Sequence, residues 1–448
     1  MDGTDTEAVK ERVCATIDER SDDIISLAES VQAEPELGYK ETKTAKKIAD
    51  RFSEMDLEVE TEAAVTGVRA RAGGGDFVAA VLGELDALIN SEHPLADPET
   101  GAVHACGHHA QLAHLVAVGY GFTDTDIIED FDVALELMAV PAEEYLDLEY
   151  RRNLVDEGQI EFFGGKQELI KRGYFEDVDC AAMVHAANET PDREITTDFS
   201  TNGFVGKFIT YEGKESHAGS APEAGVNALN AATLGLNAIH TQRETFADED
   251  HVRVHPVITK GGDGVNVVPA DVRVESYVRA KDLDAITDAN EKVNRALKSG
   301  AMAVGADVTI EDYPGYMPLR TNQTLVDHYN DNVRRVLGED ALVAERSHLT
   351  GSTDMGDLTQ IVPGIHPWIG GFEGNVHARD FAVADAEMAY LLPAKATACT
   401  LIDVFADSEA RAAIRSAKSE KRSRETYLTE ARELRETLSG EYLDHPLK

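Results

Sequence analysis

A cysteine and three histidines that could bind metal lie together in the segment His104-Ala-Cys-Gly-His-His109. Cys106 and His108 can face one centre because the glycine between them permits a tight backbone turn. Thiolate sulfur and imidazole nitrogen suit zinc, manganese, cobalt or nickel better than calcium or magnesium. The segment therefore predicts a site for one of these ions, and a purely structural histidine-rich turn is the alternative.

Two adjacent carboxylates, Glu143 and Glu144, follow the apolar run Val133–Val140 after Pro141 and Ala142. Neighbouring carboxylates repel each other unless a cation or a shared proton lies between them. A metal site resolves this repulsion if one glutamate binds the metal and the other takes the proton of the attacking water. The alternative is a pair of surface glutamates in an acidic protein.

Two further histidines stand where they could complete a metal site. His185 closes the apolar run Ala181–Val184, and His377 lies in the glycine-rich segment Gly371–Phe381. Each histidine taken alone is more typical of a packing or loop residue. In combination with the two clusters above, however, they favour a shared metal site.

The elements that must position these residues alternate between strand and helix. Phe77–Leu82 and Val133–Val140 are short apolar runs that predict buried strands, and Ala110–Tyr120 predicts a buried helix between them. This alternation predicts an α/β domain with a mostly parallel sheet. Sites in such sheets form beyond the carboxyl ends of the strands, where the candidate residues stand.

The pattern changes after residue 200. The order becomes strand, helix, strand, strand and helix, at residues 204–212, 224–243, 251–259, 271–280 and 283–302. This order predicts an inserted α+β lid domain at 200–310, with a discontinuous catalytic domain at 1–199 and 311–448. The charged tail beyond residue 407 predicts a surface helix that packs one thin stripe against the catalytic domain.

Composition narrows the possible partners and the compartment. The net charge of -41 argues against binding to nucleic acid or to an anionic membrane. The first residues carry neither a basic region nor an apolar run, which predicts a cytoplasmic protein. Because salt screens self-repulsion, so acidic a chain also favours a salt-rich, halophilic cytosol.

A series of motifs in one order resembles the M20 metallopeptidase family over residues 10–405. The nearest branch holds auxin-conjugate amidohydrolases, aminoacylases and aminobenzoyl-glutamate hydrolases. The matching motifs are Glu84-Leu-Asp86, His104-Ala-Cys-Gly-His108, Pro141-Ala-Glu-Glu144, Gly164-Gly-Lys166, Gly206-Lys207, Ser216-His217, Asn266-Val-Val-Pro269 and Val376-His377.

The resemblance implies a role for each of these residues. The metal ligands would be Cys106, His108, Glu144, His185 and His377. Glu143 would be the general base, and Asp86 would orient the site from behind. The resemblance further implies one or two divalent ions (zinc, manganese, cobalt or nickel) and a homodimer formed through the lid.

The expected reaction is hydrolysis of a small amide. Glu143 would take a proton from the attacking water and return it to the leaving amine. His217 on the lid is the candidate donor to the tetrahedral oxyanion, and Asn266 and Arg279 would hold a substrate carboxylate. The substrate would be an N-acyl amino acid or an aryl conjugate, and a dipeptidase or carboxypeptidase is the alternative.

Two hypotheses from other classes compete with the metal-dependent hydrolase. One is a metal-free amidase with Cys106 as nucleophile beside His108 or His109. The other is a catalytically silent binding protein on the same fold. The stretch 145–163, which lengthens the family pattern, predicts either a rim loop that shapes the substrate pocket or a surface elaboration.

Overall fold

The computed structural model describes residues 6–125, 127–188, 190, 192–343 and 347–443. The chain divides into two compact units. Unit 1 comprises Met1–Ser200, Arg320–Ser347 and Asp357–Arg424, and unit 2 comprises Thr201–Leu319, His348–Gly356 and Glu425–Lys448. The ends of the predicted catalytic domain, residues 1–5 and 444–448, lie outside the described residues.

A mixed six-stranded sheet forms the centre of unit 1. Its strands, in spatial order, are Val59–Ala63, Gly67–Gly73, Val133–Val140, Phe77–Glu84, Cys180–Ala182 and Gly364–Ile365. The first two pairings are antiparallel and the other three are parallel. Phe77–Glu84 and Val133–Val140 are buried along their whole length, as expected for parallel strands covered on both faces. The predicted α/β fold with a largely parallel sheet is confirmed.

Ten helices lie within the described part of unit 1. They are Thr6–Glu19, Ser21–Gln32, Thr42–Glu54, His108–Thr123, Leu148–Asp156, Gly165–Lys171, Gln323–Leu337, Ala386–Tyr390, Leu392–Ala406 and Ser408–Ser419. The stretch Ala386–Ala406 is long and apolar enough to cross a membrane, but 94% of its 18-residue apolar window is buried inside the protein. Such burial is typical of a core helix.

Shorter elements lie elsewhere in unit 1 and at the points in the sequence where the chain passes from one unit to the other. A four-stranded sheet contains Leu342–Val343, Ile195–Thr196, Trp368–Ile369 and His185–Ala186, and two ribbons pair Leu88–Ile89 with Ala102–Val103 and Phe372–Glu373 with Ala382–Val383. Phe199–Thr201, Ser347–Leu349, the helix Met355–Thr359 and the helix Arg424–Glu433 lie at the borders. Single helical turns occur at Ile127–Asp130 and Glu339–Ala341 in unit 1, and at Pro222–Ala224, Arg243–Thr245 and Asp248–Asp250 in unit 2.

Unit 2 is an antiparallel five-stranded sheet with two long helices packed on it. The strands, in spatial order, are Arg253–Lys260, Asp271–Ala280, Gly203–Glu212, Asp307–Pro314 and Glu436–Gly440. The helices Ala228–Gln242 and Leu283–Val304 begin at Asn227 and Asp282, whose side chains accept the N–H groups of Asn230 and Ala285. These caps satisfy otherwise unpaired donors and fix where each helix starts.

The tail differs from the prediction. Glu436–Gly440 pairs antiparallel with Asp307–Pro314 and so extends the sheet of unit 2, whereas the sequence predicts that residues 311–448 belong to the catalytic domain. Without that pairing, Asp307–Pro314 would expose a row of unpaired backbone groups at a sheet edge. The tail satisfies this edge, which is a long-range requirement that its local charge pattern does not reveal.

Candidate metal centre

Candidate site residues of unit 1 follow the ends of parallel strands. Asp86 comes shortly after Phe77–Glu84, and Glu143 and Glu144 come shortly after the adjacent strand Val133–Val140. Because the carboxyl ends of parallel strands meet at one edge of the sheet, these carboxylates converge there.

Gly107 sets the turn between Cys106 and His108. Its φ is +83°, and a Cβ at this position would lie 2.7 Å from the Cβ of Ala186. A residue with a side chain would therefore be strained in its backbone and would also clash with a neighbour. Gly107 thus forms the turn between Cys106 and the buried helix His108–Thr123, of which His108 is the first residue.

The five predicted ligands form two groups that share Cys106. Ligand atoms of Cys106, His108 and His185 lie within 4.8 Å of one another, and the same holds for Cys106, Glu144 and His377. The Sγ atom of Cys106 lies 3.3 Å from Nε2 of His185 and 3.3 Å from Nε2 of His377. This geometry can hold two cations with one thiolate between them.

The donor atoms fit divalent cations. Nε2 of His108 and Oε1 of Glu144 are buried and make no hydrogen bond of good geometry, although Oε2 of Glu84 lies 3.0 Å from the first atom and Nε2 of His377 lies 3.3 Å from the second. Buried polar atoms normally have hydrogen-bond partners, so atoms of this kind indicate an ion or a water. One thiolate, three imidazoles and one carboxylate form a set that suits zinc, manganese, cobalt or nickel.

Opposite charges lie close together in the metal-free site. Burial disfavours the Cys106 thiolate, but the surrounding imidazoles outweigh burial and lower the pKa of Cys106 to about 6. The carboxylate of Glu144 and the thiolate of Cys106 raise the pKa of His377 to about 12. Near neutral pH the thiolate is thus ready to bind a cation, whereas His377 carries a proton that a cation must displace.

Metal affinity should therefore increase with pH. Because binding displaces at least the His377 proton, the affinity should rise about tenfold per pH unit for each proton released. Isothermal titration of zinc in buffers with different ionisation enthalpies measures the number of protons released. Zinc binding without proton release near neutral pH would contradict a protonated His377 in the metal-free protein.

Glu143 and Glu144 point toward different histidines. Oε2 of Glu143 lies 3.9 Å from Nε2 of His108, whereas Oε1 of Glu144 lies 3.3 Å from Nε2 of His377. The Glu143 carboxylate is thus beside the first ligand group. This position is suitable for a general base, and that role of Glu143 stays a prediction.

Asp86 connects the two carboxylate-bearing segments. Its Oδ1 atom lies 3.3 Å from Nδ1 of His108, and its Oδ2 atom accepts the backbone N–H of Glu144 at 2.8 Å. The Asp86 carbonyl oxygen also lies 2.8 Å from Nδ1 of His108. With Nδ1 occupied in this way, Nε2 of His108 is the nitrogen left for a metal.

Three buried side chains behind the site were not assigned roles from the sequence. Glu84 lies 3.0 Å from Nε2 of His108 and 2.6 Å from Nζ of Lys166, and it accepts the side-chain N–H of Gln111 at 2.8 Å. Burial alone would raise the pKa of Glu84, but Lys166 and His108 hold it well below its usual value. Lys166 of the Gly164-Gly-Lys166 motif is the one sequence feature that could have indicated this ion pair, but Glu84 is 82 residues away in the chain.

Replacing Lys166 with methionine should destabilise the protein. Lys166 and Glu84 are both fully buried, and removing one partner of a buried pair costs about 3–5 kcal/mol. The double variant Glu84→Gln with Lys166→Met removes both charges and should recover part of this loss. Urea unfolding of the metal-free variants provides the comparison, and equal stability of the single variant and the parent would contradict an ionised pair.

The three predicted lid residues belong to unit 2. Nδ1 of His217 accepts the backbone N–H groups of Gly219 and Ser220, each at 3.1 Å, which leaves the proton of the neutral ring on Nε2. The carbonyl of Asn266 accepts the N–H of Ala218, next to His217, at 2.9 Å.

The guanidinium of Arg279 donates to Oγ of Ser352 at 3.0 Å and to Nε2 of His255 at 3.2 Å. It also lies over the rings of Phe204 and Tyr277. The predicted roles of Arg279, and of the other two residues in unit 2, stay predictions.

Comparison with known proteins gives matches along most of the chain. Residues 199–303 match the model of a peptidase dimerisation domain of the M20 type. A mouse Xaa-Arg dipeptidase is 30% identical over 427 residues, which cover 89% of each chain. A thermostable carboxypeptidase of Saccharolobus solfataricus is 25% identical and covers 80% of this chain and 88% of its own. Hippurate hydrolase of Campylobacter jejuni is 24% identical, with 74% and 83% covered.

Solved structures share the fold. A putative aminohydrolase from methicillin-resistant Staphylococcus aureus superposes with a TM-score of 0.70 at 19% identity, over 88% of this chain and 99% of the other. The YXEP protein of Bacillus subtilis, described as a dinuclear metal-binding peptidase of the M20 family, gives a TM-score of 0.64 at 20% identity, over 87% and 99%.

Proposed function

This chain belongs to the M20 peptidase family of hydrolytic enzymes, and from this premise we propose that it is a metal-dependent amidohydrolase acting on small N-acyl or aryl-acyl amino acids. The observation that carries the proposal is the thiolate of Cys106, which two ligand groups share, with the carboxylate of Glu143 beside one of them. Such a site activates water rather than forming a covalent acyl-enzyme.

The residues of the chain divide the reaction between them. When bound, divalent cations polarise the amide carbonyl and acidify the attacking water. Glu143 takes a proton from that water as its oxygen bonds to the carbonyl carbon, and then delivers the proton to the leaving nitrogen as the C–N bond breaks. His217 donates from Nε2 to the oxyanion, and Asn266 and Arg279 hold the carboxylate of the substrate.

A dipeptide is the second candidate substrate. The mouse relative is named an Xaa-Arg dipeptidase, and a chain with a net charge of -41 attracts cationic molecules. A dipeptide with a carboxyl-terminal arginine presents both a carboxylate and a positive charge. Its peptide bond would be hydrolysed by the same proton transfers through Glu143.

A substrate panel tests the proposal. The metal-free protein is reloaded separately with zinc, manganese, cobalt or nickel and assayed with hippurate, N-acetyl amino acids and dipeptides that end in arginine or in neutral residues. Hydrolysis that depends on added metal supports the proposal, and the preferred amide distinguishes the two substrate classes. Full activity in a strong chelator would instead favour Cys106 as a nucleophile.

The expected partner is a second copy of the chain. Six of the nine large hydrophobic residues exposed within the described part of the chain belong to unit 2, namely Leu234, Val257, Ile258, Val265, Val267 and Met302. Two of them, Val257 and Ile258, lie on Arg253–Lys260, the edge strand of the unit 2 sheet, and an exposed apolar edge strand is a site where a second chain can pair. Sedimentation velocity should show a dimer that Val257→Lys weakens, and a monomeric parent would refute it.

The acidity of the chain supports a salt-rich cytoplasm as its setting. At a net charge of -41, self-repulsion weakens the folded state unless salt screens it. Activity should therefore be kept in molar potassium chloride and should decline in dilute buffer, and the opposite order would refute a halophilic origin.

A further inference from the structure

The stretch 145–163 folds back onto the turn that carries the two carboxylates. Its helix, Leu148–Asp156, contributes Leu154 to a small apolar cluster that also holds Tyr39 and Ala142. Ala142 directly precedes Glu143. The stretch therefore contacts the base of the candidate metal centre, and its role extends beyond that of a surface elaboration.

One side chain of this helix reaches the carboxylate turn directly. Arg151 is 1% exposed, and its guanidinium faces the carbonyl groups of the turn. It donates to the carbonyl oxygen of Phe163 at 2.7 Å, to that of Ala142 at 3.4 Å and to that of Glu144. Ala142 and Glu144 are the residues on either side of Glu143, so Arg151 binds the main chain on both sides of the proposed base.

The turn has a conformation that needs such support. Ala142 has a φ of +56°, a left-handed conformation that costs a residue with a side chain about 1 kcal/mol or more. Its N–H donates to Oε1 of Glu41 at 2.8 Å, and the N–H of Glu144 donates to Oδ2 of Asp86 at 2.8 Å. Two carboxylates thus hold the amide groups of the turn. Its carbonyl groups accept from the guanidinium of Arg151, and also from the backbone N–H of Gly165 (to Ala142, 3.3 Å) and of Leu146 (to Glu144, 2.8 Å).

We propose that Arg151 is a positioning residue that fixes the backbone on both sides of Glu143 and so directs Glu143 and Glu144 into the metal centre. Its planar group carries five donors in a rigid arrangement and can serve several carbonyls at once, which the single ammonium of lysine does less well. The catalytic part of this proposal rests on the proposed function. The part that concerns Glu144 as a ligand rests on the contacts alone.

Arg151→Met and Arg151→Lys test the proposal in the full chain. In Arg151→Met, kcat should fall about 100-fold with little change in KM, because displacing a catalytic group by about 1 Å costs that much. Cobalt affinity should fall about tenfold, and the absorption bands of the cobalt-loaded protein should shift as Glu144 moves. Arg151→Lys should be intermediate in all three measurements.

Leu154→Ala is the matched control. It weakens the packing of the same helix in the same cluster but leaves the Arg151 contacts in place, so kcat and the cobalt spectrum should stay near those of the parent. The proposal is overturned if Arg151→Met keeps the parent's kcat and cobalt spectrum, or if Leu154→Ala changes both equally. Should the parent hydrolyse no amide, the proposed function fails, and cobalt affinity and spectra still decide the role of Arg151.

Discussion

Replacing Cys106 with alanine should remove metal from both ligand groups and lower kcat by about a thousandfold or more. Its Sγ atom lies 3.3 Å from Nε2 of both His185 and His377, so one substitution takes a ligand from each group. The substitution also removes the negative charge of the thiolate, which would offset the charge of a bound cation. Metal content by mass spectrometry and steady-state rates on the best substrate measure the two effects.

Two further variants make this result specific. Cys180 is also buried, but it belongs to neither ligand group, so Cys180→Ala should keep metal and rate. Cys106→Asp supplies a hard carboxylate in place of the soft thiolate and should restore part of the activity with a preference shifted toward manganese. A Cys106→Ala variant that retains both its metal and its rate would disprove the shared-ligand assignment.

The Glu143→Gln variant should retain its metal, and its kcat should fall about 10²–10⁴-fold, which is the usual contribution of a general base. Glutamine keeps the size and hydrogen-bonding capacity of the side chain but cannot accept the proton of the attacking water. Glu143 belongs to neither of the two groups that share Cys106, but its carboxylate also forms a third possible ligand group with Glu84 and His108. If Glu143 acts as the base and not as a ligand, the metal content should match that of the parent. A fully active variant would exclude Glu143 as the base.

The neighbouring residue provides the contrast. Glu144 belongs to the group of Cys106 and His377, so Glu144→Gln should lower metal affinity as well as rate. Excess metal in the assay should rescue Glu144→Gln in part and Glu143→Gln not at all. If the two variants behave alike, the division of roles between the adjacent glutamates is wrong.

The edge of the sheet where the site forms was predictable from local patterns. Phe77–Glu84 and Val133–Val140 are uninterrupted apolar runs, and strands buried on both faces have this composition for that reason. Once the strands are parallel, the residues that follow them must meet at one edge. Asp86, Glu143 and Glu144 follow these strands, so the sequence alone predicts that they lie together.

The specific side-chain contacts around the site were not predictable in this way. Glu84 is neutralised by Lys166, and Arg151 binds carbonyls on a turn whose φ at Ala142 is positive. Periodicity reports only which face of an element is buried. It does not specify which buried lysine reaches which carboxylate, and alanine gives no signal of a left-handed conformation.

The sequence by itself therefore determined the class of fold, the order of the motifs and the residue types available to bind a cation, because these follow from local composition and spacing. Only the tertiary structure decided that one sulfur, Cys106 Sγ, is shared by two ligand groups and that the strand Glu436–Gly440 completes the sheet of unit 2. Both depend on distances between segments far apart in the chain. Such distances are set by how sheets and helices pack together, and no single segment encodes them.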